Sequence, residues 1–303
     1  SEADGKTLGD VVARAGADAR AIAEGRVFIG KIRATRADEK VSVGDRIEIS
    51  SNTKAHDDVT ILFRGEGIVV IDKPSGISTI PDQAGSSETA IALAARATDG
   101  KVSDLHPTSR LDREVSGVVI FARTKQAADA LLEARSRGGY VRRYVAIVAD
   151  TNLESGIWDA AIGRARDPKL RAAFSADEKR HEAKASRTAF RVVARAGKFA
   201  LMAFAPETGR THQIRVHASH SGAPLLGDRA YGGATRLALP SGKIMQATRI
   251  YLHCARVSIE KSGKFRDFSA PIPVELSSMW AALGGDAAAW DTALACDISS
   301  SSL

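Results

Sequence analysis

Short, compact apolar runs constrain this chain more than any other feature. Ile68–Ile71 and Val118–Phe121 are such runs, and Val141–Val148, which carries two arginines, and Phe199–Phe204 read as strands; each is four to eight residues long. That is the length of a buried strand and too short for a core helix. Lys73-Pro74-Ser75-Gly76 ends the first run with turn chemistry. One helical pattern interrupts the series at 125–135, with Ala128, Leu131 and Leu132 expected on one face. Strands and helices do not alternate regularly. The expected fold is therefore α+β, with a mixed, largely antiparallel central sheet and flanking helices, rather than a doubly wound parallel sheet. No apolar run approaches the roughly 18 residues of a membrane span, so no membrane partner is expected.

The first 50 residues read as a separate small α/β unit. Ala13, Ala17 and Ala21 lie near Val12 and Ile22 at helical spacing, and Gly25 breaks the pattern. Arg26–Gly30 reads as a short strand and turn, and Arg46–Ile49 as a half-buried strand. Residues 51–58 are polar and aperiodic, a linker. Residues 59–281 form the large domain, and the Ala- and Ser-rich stretch 282–303 reads as a C-terminal extension with a frayed end. With 44% hydrophobic and 26% charged residues the chain is neither disordered nor fibrous. Cys254 and Cys296 cannot build a disulfide framework, which fits a reducing compartment, the cytoplasm. No charged-then-apolar leader opens the chain, and Ser1 in place of Met points to trimming. Nothing suggests a self-complementary surface, so a monomer is expected.

Charge narrows the partner class. The formal net charge is +7 and the pI about 9.5. A basic chain meets polyanions, although net charge alone is also a solubility device. The excess clusters: residues 161–195 hold ten Lys/Arg against four Asp/Glu, and residues 20–36 hold five against one.

Three segments could carry chemistry. In Ser109–Gly117, Asp112 stands between Arg110 and Arg113, cations that favour its carboxylate at neutral pH. Such a carboxylate can act as a nucleophile; a turn-capping aspartate or a surface ion pair fits the same residues. In Glu207–His217, Arg215 sits between apolar neighbours whether the segment is strand or helix. Its guanidinium must then be partly buried and paired, and one carboxylate would satisfy it. In Arg142–Val148, alternation puts Arg142, Tyr144, Ala146 and Val148 on one face, where Tyr144 is either core or a stacking platform. His212, His217 and His220 lack a metal-site pattern, so no metal is expected. No Gly-rich phosphate loop, Walker loop or Gly-x-Ser-x-Gly elbow occurs, which leaves nucleotide cofactors and serine-hydrolase chemistry unsupported.

Together and in this order, these segments resemble the ribosomal large-subunit pseudouridine synthase family A. Arg110-Leu111-Asp112-x-x-x-Ser116-Gly117 resembles its aspartate motif, Arg142-x-Tyr144-x-Ala146-x-Val148 its tyrosine motif, and Gly209–His217 its arginine motif. Lys73-Pro74-x-Gly76, Pro224-Leu225-Leu226-Gly227-Asp228-x-x-Tyr231-Gly232 and Leu252-His253-Cys254 also match, so the resemblance runs over roughly 60–276. Arg142 replaces the usual Lys, Ser109 the usual His and Val115 the usual Thr; neither of the last two is expected to touch the nucleophile. Residues 8–49 are similar to the small alpha-L RNA-binding motif, with a weak match at its start.

The resemblance implies an isomerase that converts uridine in RNA to pseudouridine without a cofactor. Asp112 would be the nucleophile, by attack on the ribose carbon or by way of a glycal. Arg215 would pair with it, and Tyr144 would stack on the flipped uracil and help remove the final proton. Leu252 would shape the pocket floor, Arg110 would meet the phosphate backbone or fill the space the base vacates, and Lys73 would serve a structural role nearby. Arg26, Lys31 and Arg33 are the candidate RNA contacts of the small unit. Ribosomal RNA is the favoured substrate, with transfer RNA open. Two other readings use the same residues: an RNA-binding protein of this fold without catalysis, and an enzyme cleaving nucleoside glycosidic bonds. Glycoside hydrolysis usually needs two carboxyls, and only Glu207 offers itself as the second.

Overall fold

The structure is a computed structural model of the full chain, describing residues 6–16, 20–23, 27–30, 32–34, 36–49, 58–81, 88–167, 170–174 and 182–298. The small unit contains α1 (Leu8–Arg14), α2 (Arg20–Ala23), β1 (Val27–Ile29), β2 (Ile32–Arg33) and β3 (Ile47–Ile49). Its sheet has the order β2-β1-β3. Thr7 caps α1 with its side chain, and Asp10 returns the bond to the Thr7 backbone, a capping box. Leu8, Val12, Ile22, Val27 and Val41 form a core of its own. The helical pattern read across 12–22 is two short helices, because the first closes at Ala15-Gly16. The expected linker, apart from Asp58, lies outside the described residues, as do Arg26 and Lys31. Arg33 is on β2.

The large unit continues with β4 (Thr60–Gly65), β5 (Ile68–Lys73), α3 (Ala90–Ala97), β6 (His106–Pro107), β7 (Ser116–Ala122) and α4 (Lys125–Ser136). Then come β8 (Tyr140–Ala149), β9 (Ser155–Trp158), β10 (Ala161–Arg164), β11 (Arg171–Phe174), β12 (Thr188–Ala196) and β13 (Phe199–Pro206). The last elements are α5 (Gln213–His220), β14 (Arg236–Ala238), β15 (Ile244–Gln246), β16 (Leu252–Lys261), β17 (Lys264–Ser269), α6 (Val274–Ala282) and α7 (Ala289–Ala295). All four segments are strands of one ten-stranded sheet, whose main path is β4-β5-β7-β16-β8-β13-β12-β9. Its neighbours are antiparallel except β7 and β16, which run parallel at the centre. The fold is the mixed, largely antiparallel α+β architecture expected.

Strand alternation builds a core on each face. On β8, Tyr144, Ala146 and Val148 face one cluster, while Val145 and Ile147 face another shared with α6 and α7. On β7, Val119 and Phe121 pack with α3, and Val118 and Ile120 point to the opposite side. Two readings are corrected. Leu132 on α4 is exposed; Leu131 is buried as expected, Ala128 packs against the same core, and Ala134 takes the place read for Leu132. Residue 281 is no boundary of packing, since Trp290, Ala293 and Ile298 are buried against the sheet. Their apolar side chains return the chain to the domain, which an Ala- and Ser-rich composition conceals. Among the described residues, no helix is long and apolar enough to cross a membrane.

Candidate active site

Asp112 lies on the loop between β6 and β7, and the segment after β5 holds that loop at both ends. Thr79 Oγ1 donates to the Leu111 carbonyl at 2.8 Å and accepts the Leu111 N–H at 3.0 Å. Ser75 donates to the Glu114 carbonyl at 2.8 Å, and the Gly76 N–H to Arg113 at 2.8 Å. Lys73, fully buried, donates to the carbonyls of Pro74, Ile77 and Arg113 at 2.9, 2.8 and 3.2 Å. Burial depresses its pKa, yet three carbonyl acceptors call for three N–H donors, which only the ammonium form has. The Val115 N–H closes a turn on the Asp112 carbonyl at 3.1 Å, so this departure from the family pattern does touch the nucleophile, through its backbone. Its side chain lies in the core. Ser109 bonds Tyr140 Oη at 3.1 Å.

Arg215 is on α5. The polar–apolar alternation of 212–217 left strand and helix open, and the segment is a helix with nearly every residue buried. Alternation misleads here because both kinds of side chain go inward, each polar one with its partner. Gln213 accepts from Thr208 Oγ1 at 2.7 Å and the Arg210 N–H at 3.0 Å, and donates to the Arg187 carbonyl and Thr188 Oγ1 at 2.8 and 2.9 Å. His217 bonds Thr188 Oγ1 and the Ala160 carbonyl through its two ring nitrogens, each at 2.9 Å.

Arg215 joins two carboxylates, not the one anticipated. Nη1 donates to Asp112 Oδ2 at 2.9 Å, while Nε and Nη2 form a fork on Asp228 at 2.7 and 2.9 Å. Asp228 has 0% exposure. Gly227 beside it has φ +81°, and a Cβ there would sit 1.8 Å from the Arg249 carbonyl. Only glycine permits this approach, which aims Asp228 at the arginine. Burial opposes charge on Asp112, but His212, Arg215 with its hydrogen bond, and Lys73 outweigh it and hold the carboxyl below its ordinary value. Burial likewise opposes charge on Arg215, and the two carboxylates reverse the balance, raising its pKa. The guanidinium stays charged.

His212 completes the group. It adopts a left-handed conformation at the start of α5 and places Nε2 3.8 Å from Asp112 Oδ2. Nδ1 meets Tyr231 Oη at 2.7 Å, and Tyr231 Oη accepts the Arg171 N–H at 3.0 Å. Burial lowers the His212 pKa and keeps the ring neutral at pH 7. The Tyr231 ring lies 4.9 Å from the Arg215 guanidinium carbon.

A cavity of about 490 Å³ opens over Asp112, lined also by Tyr144, Leu252, Arg110 and His212. It has the volume of a small-molecule site. Tyr144, from β8, is buried against Cys254, and burial raises its phenol well above the usual range. Arg110 is exposed at the rim. Sequence reasoning brought Asp112, Tyr144, Arg215, Arg110 and Leu252 to one place. It assigned no role to Asp228, Tyr231 or His212, although all three stand in quoted motifs. Glu207 is not a second carboxyl here; it pairs with Arg187 at 3.1 Å.

The site is thus a carboxylate fixed by a buried arginine, facing an arginine-lined cavity on one side of a mixed sheet. The comparisons give the chain its family. A profile of the RNA pseudouridylate synthase family matches residues 67–220. The chain is 32% identical over 266 residues to ribosomal large subunit pseudouridine synthase D of Xanthomonas campestris, covering 84% of this chain and 78% of that protein. It is 34% identical over 211 residues to an uncharacterized RNA pseudouridine synthase of Chloroflexus aurantiacus, covering 68% of this chain but only 63% of that one. Among solved structures, human RNA pseudouridylate synthase domain containing 1 shares the fold, with TM-score 0.60, 22% identity and coverage of 75% and 89%. The chain belongs to the RNA pseudouridine synthase family, isomerases that act on uridine in RNA.

Proposed function

We propose that this chain isomerises uridine in ribosomal RNA with Asp112 as its nucleophile. The observation that carries the reading is the ionised Asp112 held at 2.9 Å by Arg215 at the base of the cavity. In the reaction the N1–C1′ bond breaks, the base turns, and a C5–C1′ bond forms. The hydrogen on C5 leaves and N1 gains a proton, so there is no net oxidation. Asp112 acts on the ribose during cleavage, by adding to C1′ or on the way to a glycal. The hydrogen bond from Arg215 fixes its direction. Tyr144 stacks on the flipped uracil; its raised pKa makes a phenolate base costly and weighs for the stacking role. Leu252 shapes the pocket wall and Arg110 meets the backbone at the rim.

Extracting a stacked base costs a few kcal/mol, offset by arginine–phosphate contacts. The small unit, residues 1–50 with Arg26, Lys31 and Arg33, is an RNA-binding domain joined by 51–58 to the catalytic domain. The relatives named for the large ribosomal subunit favour ribosomal over transfer RNA. The reaction belongs in the cytoplasm, where such RNA resides.

Tritium release from RNA labelled at uracil C5 tests the reading, with ribosomal and transfer RNA assayed separately. Wild type should release tritium from ribosomal RNA, and Asp112→Asn should release none while still binding RNA. Release by the variant would remove Asp112 as nucleophile. Free uracil in place of pseudouridine would make the chain a glycosidase.

A further inference from the structure

Three arginines reach the cavity from different elements and none has a carboxylate. Arg135 comes from the end of α4, Arg142 from β8 and Arg210 from the turn before α5; all line the cavity with Tyr144 and Asp112. Arg135 donates to the Thr108 carbonyl at 3.2 Å. Arg142 donates to the carbonyls of Thr208 and Pro206 at 2.6 and 3.2 Å, and Arg210 to that of Ala185 at 3.0 Å. These carbonyls orient the guanidinium groups without neutralising them. The nearby carboxylates are engaged elsewhere, Glu133 with Arg137 at 3.4 Å and Glu207 with Arg187 at 3.1 Å. Among the described residues, no carboxylate stands within ion-pair distance of the three.

Two further observations mark a site. Arg142 Nε is buried with no hydrogen-bond partner, so the carbonyls leave this guanidinium incompletely satisfied. The guanidinium groups also converge on Gly209: a Cβ there would lie 1.9 Å from Arg135 Nη2 and 3.7 Å from Arg142 Nη1. Glycine keeps the space that lets two like charges share one wall. Burial first, and then Arg142 and Arg210, push the Arg135 pKa down. Like charges held together and satisfied only by neutral carbonyls are arranged for an anion.

We propose that Arg135, Arg142 and Arg210 form a phosphate site that binds a backbone phosphodiester of the RNA strand flanking the target uridine. The proposal rests on the cavity being the uridine site, and it names how the strand is gripped there. Tyr144 is two residues from Arg142 on the same face of β8, so the element that stacks the base also holds the adjoining phosphate. Extrusion of the base and capture of its backbone are then one event.

The test is the salt dependence of binding to a short fluorescein-labelled oligouridylate, read by anisotropy across potassium chloride concentrations with the full chain. Each lost phosphate contact on a single strand should make the slope of log K against log salt shallower by about 0.7. The double variant Arg135→Gln/Arg142→Gln should lose at least that much and bind more weakly at low salt. Arg137→Gln, on the exposed side of the same helix end, should keep the wild-type slope. Gly209→Ala retains every charge but displaces Arg135, and should also flatten the slope. If the double variant does not fold by circular dichroism, Arg135→Gln and Gly209→Ala carry the readout singly. A wild-type slope in Gly209→Ala and in whichever arginine variant folds overturns the phosphate site. The isomerase reading fails separately: a flattened slope without tritium release by wild type keeps the phosphate site and removes the reaction.

Discussion

Replacing Asp228 by asparagine removes one charge and keeps the shape. Asp112, Arg215 and Asp228 carry a net charge of −1 when all are ionised. If Asp112 is neutralised in the proposed reaction, Arg215 keeps its fork on Asp228 and is not left as a buried, unpaired cation. In Asp228→Asn, one acceptor of that fork becomes an NH2 facing an N–H. Breaking a buried ion pair costs about 3–5 kcal/mol, and the lower end applies because Asp112 still holds Nη1 at 2.9 Å. Stability to urea should therefore fall by about 3 kcal/mol. If a similar loss of orientation is felt in the transition state, kcat should fall on the order of 100-fold, at tenfold per about 1.4 kcal/mol. KM should stay within about threefold, because Asp228 is fully buried and touches substrate only through Arg215. The acid limb of kcat should move to lower pH, since removing the Asp228 charge makes Asp112 easier to ionise. The assay is tritium release across pH with folded protein. A folded variant with kcat within threefold of wild type and an unmoved acid limb would refute the reasoning, leaving Asp112 to orient Arg215 alone.

Tyr144→Phe keeps the ring and should retain kcat within about tenfold, whereas Tyr144→Ala should lose it; equal loss in both, by the same assay, would restore a chemical role for the hydroxyl. Gly227→Ala should destabilise by more than about 1 kcal/mol and lower kcat, because φ +81° and the Arg249 carbonyl both exclude a Cβ; urea unfolding and kcat check this together. His253 is buried and neutral, its pKa depressed to about 3 by burial and then by Arg249. The unfolded chain binds a proton near pH 6.5 that the folded chain refuses, so the stability this residue contributes is complete above pH 6.5 and is lost as pH falls toward about 3. The difference in unfolding free energy between wild type and His253→Asn should shrink by roughly 3 kcal/mol from pH 6.5 to pH 4; a constant difference would place a proton on His253 in the fold.

The sequence by itself marked four central strands and put Asp112, Tyr144 and Arg215 forward as candidates. Apolar runs of strand length formed the sheet because burial of such runs leaves few alternatives, and Asp112, Tyr144 and Arg215 were legible because each stood in a motif with an unusual chemical demand. The small unit was readable as strands and turns, while its supposed single helix was broken by local backbone conformation that alanine spacing does not encode. Only the tertiary structure decided how the charges pair. Arg215 needed a partner on sequence grounds, but Asp228, thirteen residues away, and Asp112, 103 residues away, meet it because α5 and the loop after it fold beneath the loop held by Lys73 and Thr79. The helix at 213–220 was ambiguous because its polar side chains at 213, 215 and 217 are buried too, and partners distant in sequence help satisfy Gln213 and His217. The C-terminal residues looked like a tail because composition records how many side chains are apolar, not where Trp290 and Ile298 are buried. Pairing of charges and burial of isolated apolar residues depend on contacts distant in sequence, and those exist only once the chain has closed on itself.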